Sequence, residues 1–286
     1  MRAKCPYCKN IIQNYERHIV SPINKKRYNL YNCDKCYLTF YTPLVFEDIY
    51  EKGDFYNNRH NKNITISNWT MYMLEQIKKN NIQVNNKKIL DIGASNGVNY
   101  YTLQKEFKIK TQDYYALELD KKALQTAKRI GVTNIIPHYF NKEILKKIKT
   151  KFDIIIATEV LEHQTDPKDF MTTAMKMLKK DGIFIITVPN KDRLFMKRRE
   201  LPKDVPPHHF LKLSIKFFKH NYNNIVLLKT FYKRLSTTKS TAQTLSNKIL
   251  KTKKTWPLFT PLVIPIRLIQ TIDSIKGDRI IAIIKK

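Results

Sequence analysis

Between Lys88 and Val188 short apolar runs alternate with stretches of helical periodicity, and this alternation limits the possible folds more than any other feature of the chain. The apolar runs are Lys88–Ile92, Tyr114–Leu119, Asn134–Pro137, Phe152–Ala157 and Gly182–Val188. Between them, Val98–Phe107, Lys121–Ile130, Lys142–Lys149 and Pro167–Lys179 read as helices. Asp166 before Pro167 marks a helix start, with a capping carboxylate and a proline at the first helical position. Strand, helix and strand in turn build a parallel sheet covered on both faces. The wholly apolar Ile154-Ile155-Ile156-Ala157 fits a strand buried on both sides. Beyond Pro189 the pattern weakens. A helix near Ser214–His220, a strand near Ile225–Tyr232 and a last strand, Arg279–Ile284, behind a helix stop at Gly277 complete an α/β sheet of seven strands.

All four cysteines precede this region, as Cys5-x2-Cys8 and Cys33-x2-Cys36. Strand-like segments at 27–32 and 37–41 flank the second pair. Two such knuckles on a small β-scaffold can place four thiolates tetrahedrally around Zn²⁺. Four thiolates leave no open position, so the metal's expected role is structural. Disulfides are the alternative, but no secretory leader is visible: the N-terminus runs from charge straight into the first knuckle. Residues 43–65 read as a linker. A helix follows over Ser67–Lys79, with Trp69, Met73, Leu74 and Ile77 on one face. The expected organisation is a zinc ribbon at 1–45, a linker and leading helix at 46–85, and the α/β domain at 86–286.

At 286 residues and 42% hydrophobic content the chain can bury a sizeable core. No run approaches the roughly 20 apolar residues of a membrane span, and the expected location is the cytoplasm. The net charge is +29, most of it in residues 191–286. Two readings stand: an anionic partner (nucleic acid, anionic lipid or phosphorylated substrate), or drift of a composition rich in Lys, Asn and Ile, since surface lysines are commonly only solvated. Within 236–276 a basic stretch, 248–254, precedes an apolar one broken by Pro257, Pro261 and Pro265. This insertion either lies peripherally on the anionic inner face of a membrane or packs as a helical cover over the pocket.

The segment Asp91-Ile-Gly93-Ala-Ser-Asn-Gly97 ends the first strand and opens a helix. Glycine is needed where backbone passes close to a ligand or takes positive φ. Asp91 either accepts a hydrogen bond from a ligand's ammonium or orders the loop. The run lacks both the Gly-Lys-Ser/Thr ending of a phosphate loop and the dinucleotide glycine spacing. Glu118 ends the second strand, where an acid can bind both hydroxyls of a ribose. Asp120 better fits a helix cap. The D-x-G-x-x-x-G run resembles motif I of class I S-adenosylmethionine (SAM) methyltransferases. The resemblance covers about residues 86–232, through Phe152-Asp-Ile-Ile-Ile-Ala-Thr-Glu159-Val-Leu-Glu162-His163, Asp166-Pro167, Leu178-Lys-Lys-Asp-Gly182 and Val188-Pro-Asn190. These look like the type 11/type 23 methyltransferase families, which include ubiquinone-biosynthesis O-methyltransferases. The resemblance implies a Rossmann-like sheet and SAM as cofactor, bound by Asp91, Gly93, Gly97 and Glu118, with Glu159 counted beside them. Where many relatives place an acid for the adenine amine, this chain has His138-Tyr-Phe-Asn141, so the adenine contacts stay unassigned. The ribbon resembles those preceding methyltransferases of bacterial surface-glycan clusters.

Glu159, Glu162 and His163 follow the fourth strand at i, i+3, i+4 and would share one face of a helical turn. Pro206-Pro-His208-His209-Phe210 comes later. In one reading His208 or His209 is a general base removing a hydroxyl proton. In a second, Glu159, Glu162, His163 and one of His208/His209 hold a divalent metal that lowers the hydroxyl pKa. That set resembles the site of small-RNA 3′-terminal 2′-O-methyltransferases. In a third, Glu162 and His163 only brace the helix. The expected function is methyl transfer from SAM to a hydroxyl of a sugar, glycan precursor or lipid-linked small molecule. The rivals are ribose 2′-O-methylation of RNA and a non-catalytic, cofactor-binding interaction module.

Overall fold

The computed structural model describes residues 2–45, 64–193, 204–231 and 277–286, with isolated positions between 249 and 261. The insertion expected at 236–276 and most of the linker lie outside the described residues.

The ribbon contributes β1 (Ala3–Lys4), β2 (Ile11–Ile12), β3 (Arg17–Val20), β4 (Arg27–Asn32) and β5 (Thr39–Thr42). After α1 (Asn68–Lys79) the α/β alternation runs β6 (Ile89–Ile92), α2 (Val98–Phe107), β7 (Tyr114–Leu117), α3 (Lys121–Arg129), β8 (Asn134–Ile136), α4 (Ile144–Lys147), β9 (Phe152–Thr158), α5 (Pro167–Met177) and β10 (Leu178–Pro189). Then come β11 (Leu211–Lys212), α6 (Ile215–Asn221), β12 (Ile225–Phe231) and β13 (Arg279–Lys285). The seven-stranded sheet has the order β12-β13-β10-β9-β6-β7-β8. β13 is antiparallel to both its neighbours, while β6 to β10 are parallel.

Local chemistry sets the helix starts. Ser67, Asp120, Asp166 and Ser214 each accept a backbone N–H of the following helix's first turn. Period-two alternation divides each strand between two cores. Ile154 and Ile156 of β9 face Met73, Leu74 and Ile77 of α1 and Leu103 of α2. Ile155 and Ala157 face Phe170 and Met171 of α5 and Phe217 and Phe218 of α6. α5 ends at Met177, two residues short of the expected Lys179. Leu178 already pairs with Phe152, and the strand register shifts between Leu178 and Ile183. Sheet pairing thus overrides the helical propensity of the lysines there.

Chain order reverses at β6, whose neighbours are β7 on one side and β9 on the other. The crevice at the carboxyl ends of these strands is where open α/β sheets bind ligands. The ribbon closes on the same molecule. β11, from the middle of the α/β part, pairs antiparallel with β5 and completes a four-stranded sheet, β11-β5-β4-β3. No helix among the described residues is long and apolar enough to cross a membrane.

Candidate active site

At the end of β6 the N–H groups of Gly93 and Ala94 both donate to the Leu117 carbonyl, at 2.8 and 3.1 Å, folding the loop back onto β7. Gly93 has φ +69°, and a Cβ there would stand 2.6 Å from Val160 Cγ2. The close neighbour demanding glycine is therefore a side chain of the β9 turn, in addition to any ligand. Gly97 (φ +81°) is the N-cap of α2, pressed against Ala127. Asp91 is fully buried. Its oxygens accept from Asn99 Nδ2 at 3.2 Å and from the Tyr114 hydroxyl. Asn99 also donates to Thr158 Oγ1 and accepts from Thr70 Oγ1, each at 3.2 Å. Of the two roles open to Asp91, this geometry serves the second, ordering the loop. Burial raises its pKa to about 7, against the lowering effect of Tyr114 and Asn99.

Glu118 stands where the loop meets the tip of β7. Oε2 accepts from Ser95 N at 2.9 Å, and Oε1 from Leu119 N at 2.7 Å and Asp120 N at 3.1 Å. Burial raises its pKa above the ordinary carboxylate value. A glycine loop opening a helix beside an acid on the next strand tip fits the amino-acid and ribose parts of SAM. At the third strand Tyr139 donates to Gln164 Oε1 at 2.6 Å, and His138 Nδ1 meets the Tyr139 carbonyl at 2.6 Å.

On the reacting side the structure corrects the expected helical turn. Glu159 has φ +56°, and only Leu161–His163 form a 3-10 turn, so Glu159, Glu162 and His163 do not share a face. Glu159 Oε2 ion-pairs with Arg279 Nε at 2.6 Å, and Oε1 lies 3.5 Å from Thr187 Oγ1. It thus leaves the metal set drawn from spacing. What does converge is His163, His208 and His209, with ring nitrogens within 4.8 Å of one another. Glu162, 1% exposed, places Oε1 3.9 Å from His209 Nε2, and neither of its oxygens has a hydrogen-bond partner among the described residues. His163 Nδ1 donates to the His208 carbonyl at 2.6 Å, which leaves Nε2 to face the cluster. His209 Nδ1 lies 3.5 Å from Asp204 Oδ1, and Asp204 pairs with Arg193 at 2.9 Å. Burial, then His163 and His208, hold the pKa of His209 well below the usual imidazole value, so this ring is neutral. Burial, then Glu159, push Glu162 well above the carboxylate range. The cluster adjoins the glycine loop through Val160, whose side chain covers Gly93 and whose carbonyl accepts from His163 N at 3.1 Å.

Sequence spacing did not reveal Asp204, Arg193, Arg279 or Asn99. Arg279 reaches the site because β13 registers it opposite Pro189 at the end of β10, a pairing no local pattern announces.

In the ribbon, Cys5 and Cys36 sulfurs lie 3.6 Å apart and Cys8 and Cys33 sulfurs 3.4 Å apart. All four are free thiols within 4.8 Å of one another. A tetrahedron with Zn–S bonds near 2.3 Å has edges of about 3.8 Å, so the set fits Zn²⁺.

A family model described as a methyltransferase domain matches residues 64–222. Among curated proteins, the chain is similar to the ubiquinone biosynthesis O-methyltransferase of Rickettsia bellii, with 24% identity over 124 residues, 43% of this chain and 50% of that protein. It is similar to the Pelagibacter ubique protein of the same name, with 30% identity over 119 residues, 41% and 48% of the two chains. The chain thus spans about half the length of the curated relatives it matches. Among solved structures, one described as a putative sarcosine dimethylglycine methyltransferase from Galdieria sulphuraria superposes with a TM-score of 0.50 at 14% identity, covering 85% of this chain and 91% of that one. That likeness shows the fold. The family match takes in more than half of the chain, from α1 through the glycine loop, Glu118 and the histidine cluster to the end of α6, and on it this protein belongs to the class I SAM-dependent methyltransferases.

Proposed function

We propose that the chain moves a methyl group from SAM to a hydroxyl of a small-molecule acceptor, with a sugar, glycan precursor or lipid-linked molecule as the acceptor class. One observation carries the acceptor chemistry: His163, His208 and His209 converge beside the glycine loop, with the carboxyl of Glu162, which has no hydrogen-bond partner among the described residues, behind them. Bound SAM supplies a sulfonium methyl, an electrophilic carbon. The chain's own task is to hold donor and acceptor in line and to manage the hydroxyl proton. The glycine loop and Glu118 fix the donor, and the histidine cluster faces the acceptor. The oxygen–carbon bond forms as the carbon–sulfur bond breaks, and the proton must leave the oxygen. An imidazole in its neutral form serves either as the proton's acceptor or as a ligand of a divalent cation that lowers the hydroxyl pKa. Three converging rings with a buried carboxyl favour the cation, since a lone general base needs no such convergence. His163, His208 and His209 would ligate it and Glu162 would balance its charge.

The test measures SAM affinity by calorimetry and S-adenosylhomocysteine formation over a panel of hydroxyl acceptors. Gly93→Val should abolish SAM binding and Glu118→Ala should weaken it; unchanged affinity in both folded variants sinks the cofactor site. Activity should be lost reversibly with chelator, without removing the ribbon metal, and lost in both Glu162→Gln and His209→Ala. Loss in a single histidine variant, with chelator inert, would favour the base instead.

A further inference from the structure

The ribbon reaches the reacting site through the backbone of the segment that carries His208 and His209. On the inner side of that segment, Phe210 N–H donates to the Glu162 carbonyl at 2.9 Å, tying it to the turn after β9. On the same side His163 Nδ1 donates to the His208 carbonyl at 2.6 Å and Arg193 pairs with Asp204 at 2.9 Å; the ribbon supplies further anchors from the opposite side. Ser21 Oγ donates to the Pro206 carbonyl at 2.6 Å. Tyr41 N–H donates to the Phe210 carbonyl at 2.9 Å. Leu211 and Lys212 pair with Phe40 and Thr39 as the fourth strand of the ribbon's sheet. The Tyr28 ring meets Phe210 edge to face at 6.4 Å.

The physical need is plain. Residues 204–211 are buried, and Pro206 and Pro207 have no N–H with which to form a ladder of their own. Their buried carbonyls require donors from elsewhere, and Ser21, itself fully buried, supplies one. The cysteine end of the ribbon is fixed to the same body. Asn221 Nδ2 donates to the Cys36 carbonyl at 2.9 Å, the Tyr7 and Tyr222 hydroxyls meet at 2.7 Å, and the Tyr7 ring packs on Phe217 with centroids 5.0 Å apart. The thiol cluster, β4, β5 and β11 thus form one continuous path to His209.

We infer that the cysteine ribbon is a positioning element of the reacting site, acting through Ser21 and strand β5 on the loop that presents His208 and His209. The inference rests on the histidine-cluster reading above and adds what holds that cluster in place.

The experiment follows the imidazole nitrogens of His208 and His209 by NMR, Mn²⁺ binding at the histidines, and SAM affinity, all in the full chain. Ser21→Ala is expected to shift the imidazole signals. It should also weaken Mn²⁺ binding, by less than the roughly 10-fold or more expected for losing a partner bonded directly to a metal ligand, with SAM affinity unchanged. Ser21→Thr, which keeps the hydroxyl, should restore both. Val20→Ala, at a neighbouring side chain that is 61% exposed, should alter neither. Release of the ribbon metal from the wild type with a mercurial thiol reagent gives the same readouts without any variant, and the same shift is expected. Signals and Mn²⁺ affinity unmoved by both treatments overturn the inference. So does a parallel fall in SAM affinity, which marks general loss of structure. If the wild type binds no Mn²⁺ at the histidines, the metal reading fails, and the imidazole signals still decide the positioning role.

Discussion

Asp91 lies at the centre of the sheet without access to solvent, and burial outweighs the hydrogen bonds from Tyr114 and Asn99, so its carboxyl holds a proton up to a pH of about 7. A folded-state pKa above the unfolded carboxylate value means that the folded chain binds the proton more tightly. This contribution to stability is fully present below the unfolded pKa and is lost as pH rises through about 7. Asp91→Asn should therefore remove a slope of up to about 1.4 kcal/mol per pH unit, between roughly pH 4 and pH 7, from the ligand-free protein. Urea unfolding at stepped pH measures it, and parallel curves for the two proteins would refute the assignment. Gly93 sets a second limit. Its φ of +69° and the 2.6 Å approach to Val160 leave no room for a methyl. Gly93→Ala should cost roughly 1–3 kcal/mol, as overpacking does, and weaken SAM binding by displacing the loop from Glu118. Adding Val160→Ala should recover part of the stability; a melting temperature equal to wild type in Gly93→Ala would show that the contact is slack.

Elements whose ends are decided by local chemistry are the ones the sequence announces. Asp166-Pro167 marks the start of α5, and Ser214 starts α6 by accepting from Phe217 N at 3.2 Å. α6 matters beyond its length, because Phe217 and Phe218 enter the core it shares with the ribbon. Ser214→Ala should destabilise by about 1 kcal/mol; equal thermal melting of Ser214→Ala and wild type would remove the cap from the account. The turn after β9 is the opposite case. Its i, i+3, i+4 carboxylates and histidine look helical, yet Glu159 donates its N–H to the Thr187 carbonyl at 2.9 Å and its side chain pairs with Arg279. Contacts with β10 and β13, not local spacing, put Glu159 in the left-handed region.

Among the described residues, the apolar core on one face of the sheet joins Cys5, Tyr7, Cys33 and Cys36 to Phe170, Phe217 and the β9–β10 strands. A core shared in this way couples the unfolding of the ribbon to that of the sheet. Calorimetry of the metal-loaded protein should give a single transition, and Cys33→Ser should lower its temperature without splitting it. Two transitions would make the ribbon an independent module. Metal analysis should find about one Zn²⁺ per chain, since four thiolates close one tetrahedral site.

What the sequence determined is what repeats or lies close along the chain. The strand–helix alternation specified the sheet, paired CxxC knuckles specified a thiol cluster, and the Asp91–Gly97 run with Glu118 marked the glycine loop proposed to hold the cofactor. Each follows from periodicity, spacing or a local backbone demand that a few neighbouring residues satisfy. What only the tertiary structure decided is which distant groups meet. Asp91 turns inward to Asn99 and Tyr114, Glu159 is taken by Arg279, and the metal-competent set becomes three histidines with Glu162 behind them. The ribbon's grip on the histidine loop through Ser21 and β5 belongs to the same class. Apart from Asp91–Asn99, these contacts join residues from 23 to 185 positions apart, and they form because buried carbonyls and charges must find partners once the sheet has closed, a requirement that no local stretch of sequence expresses.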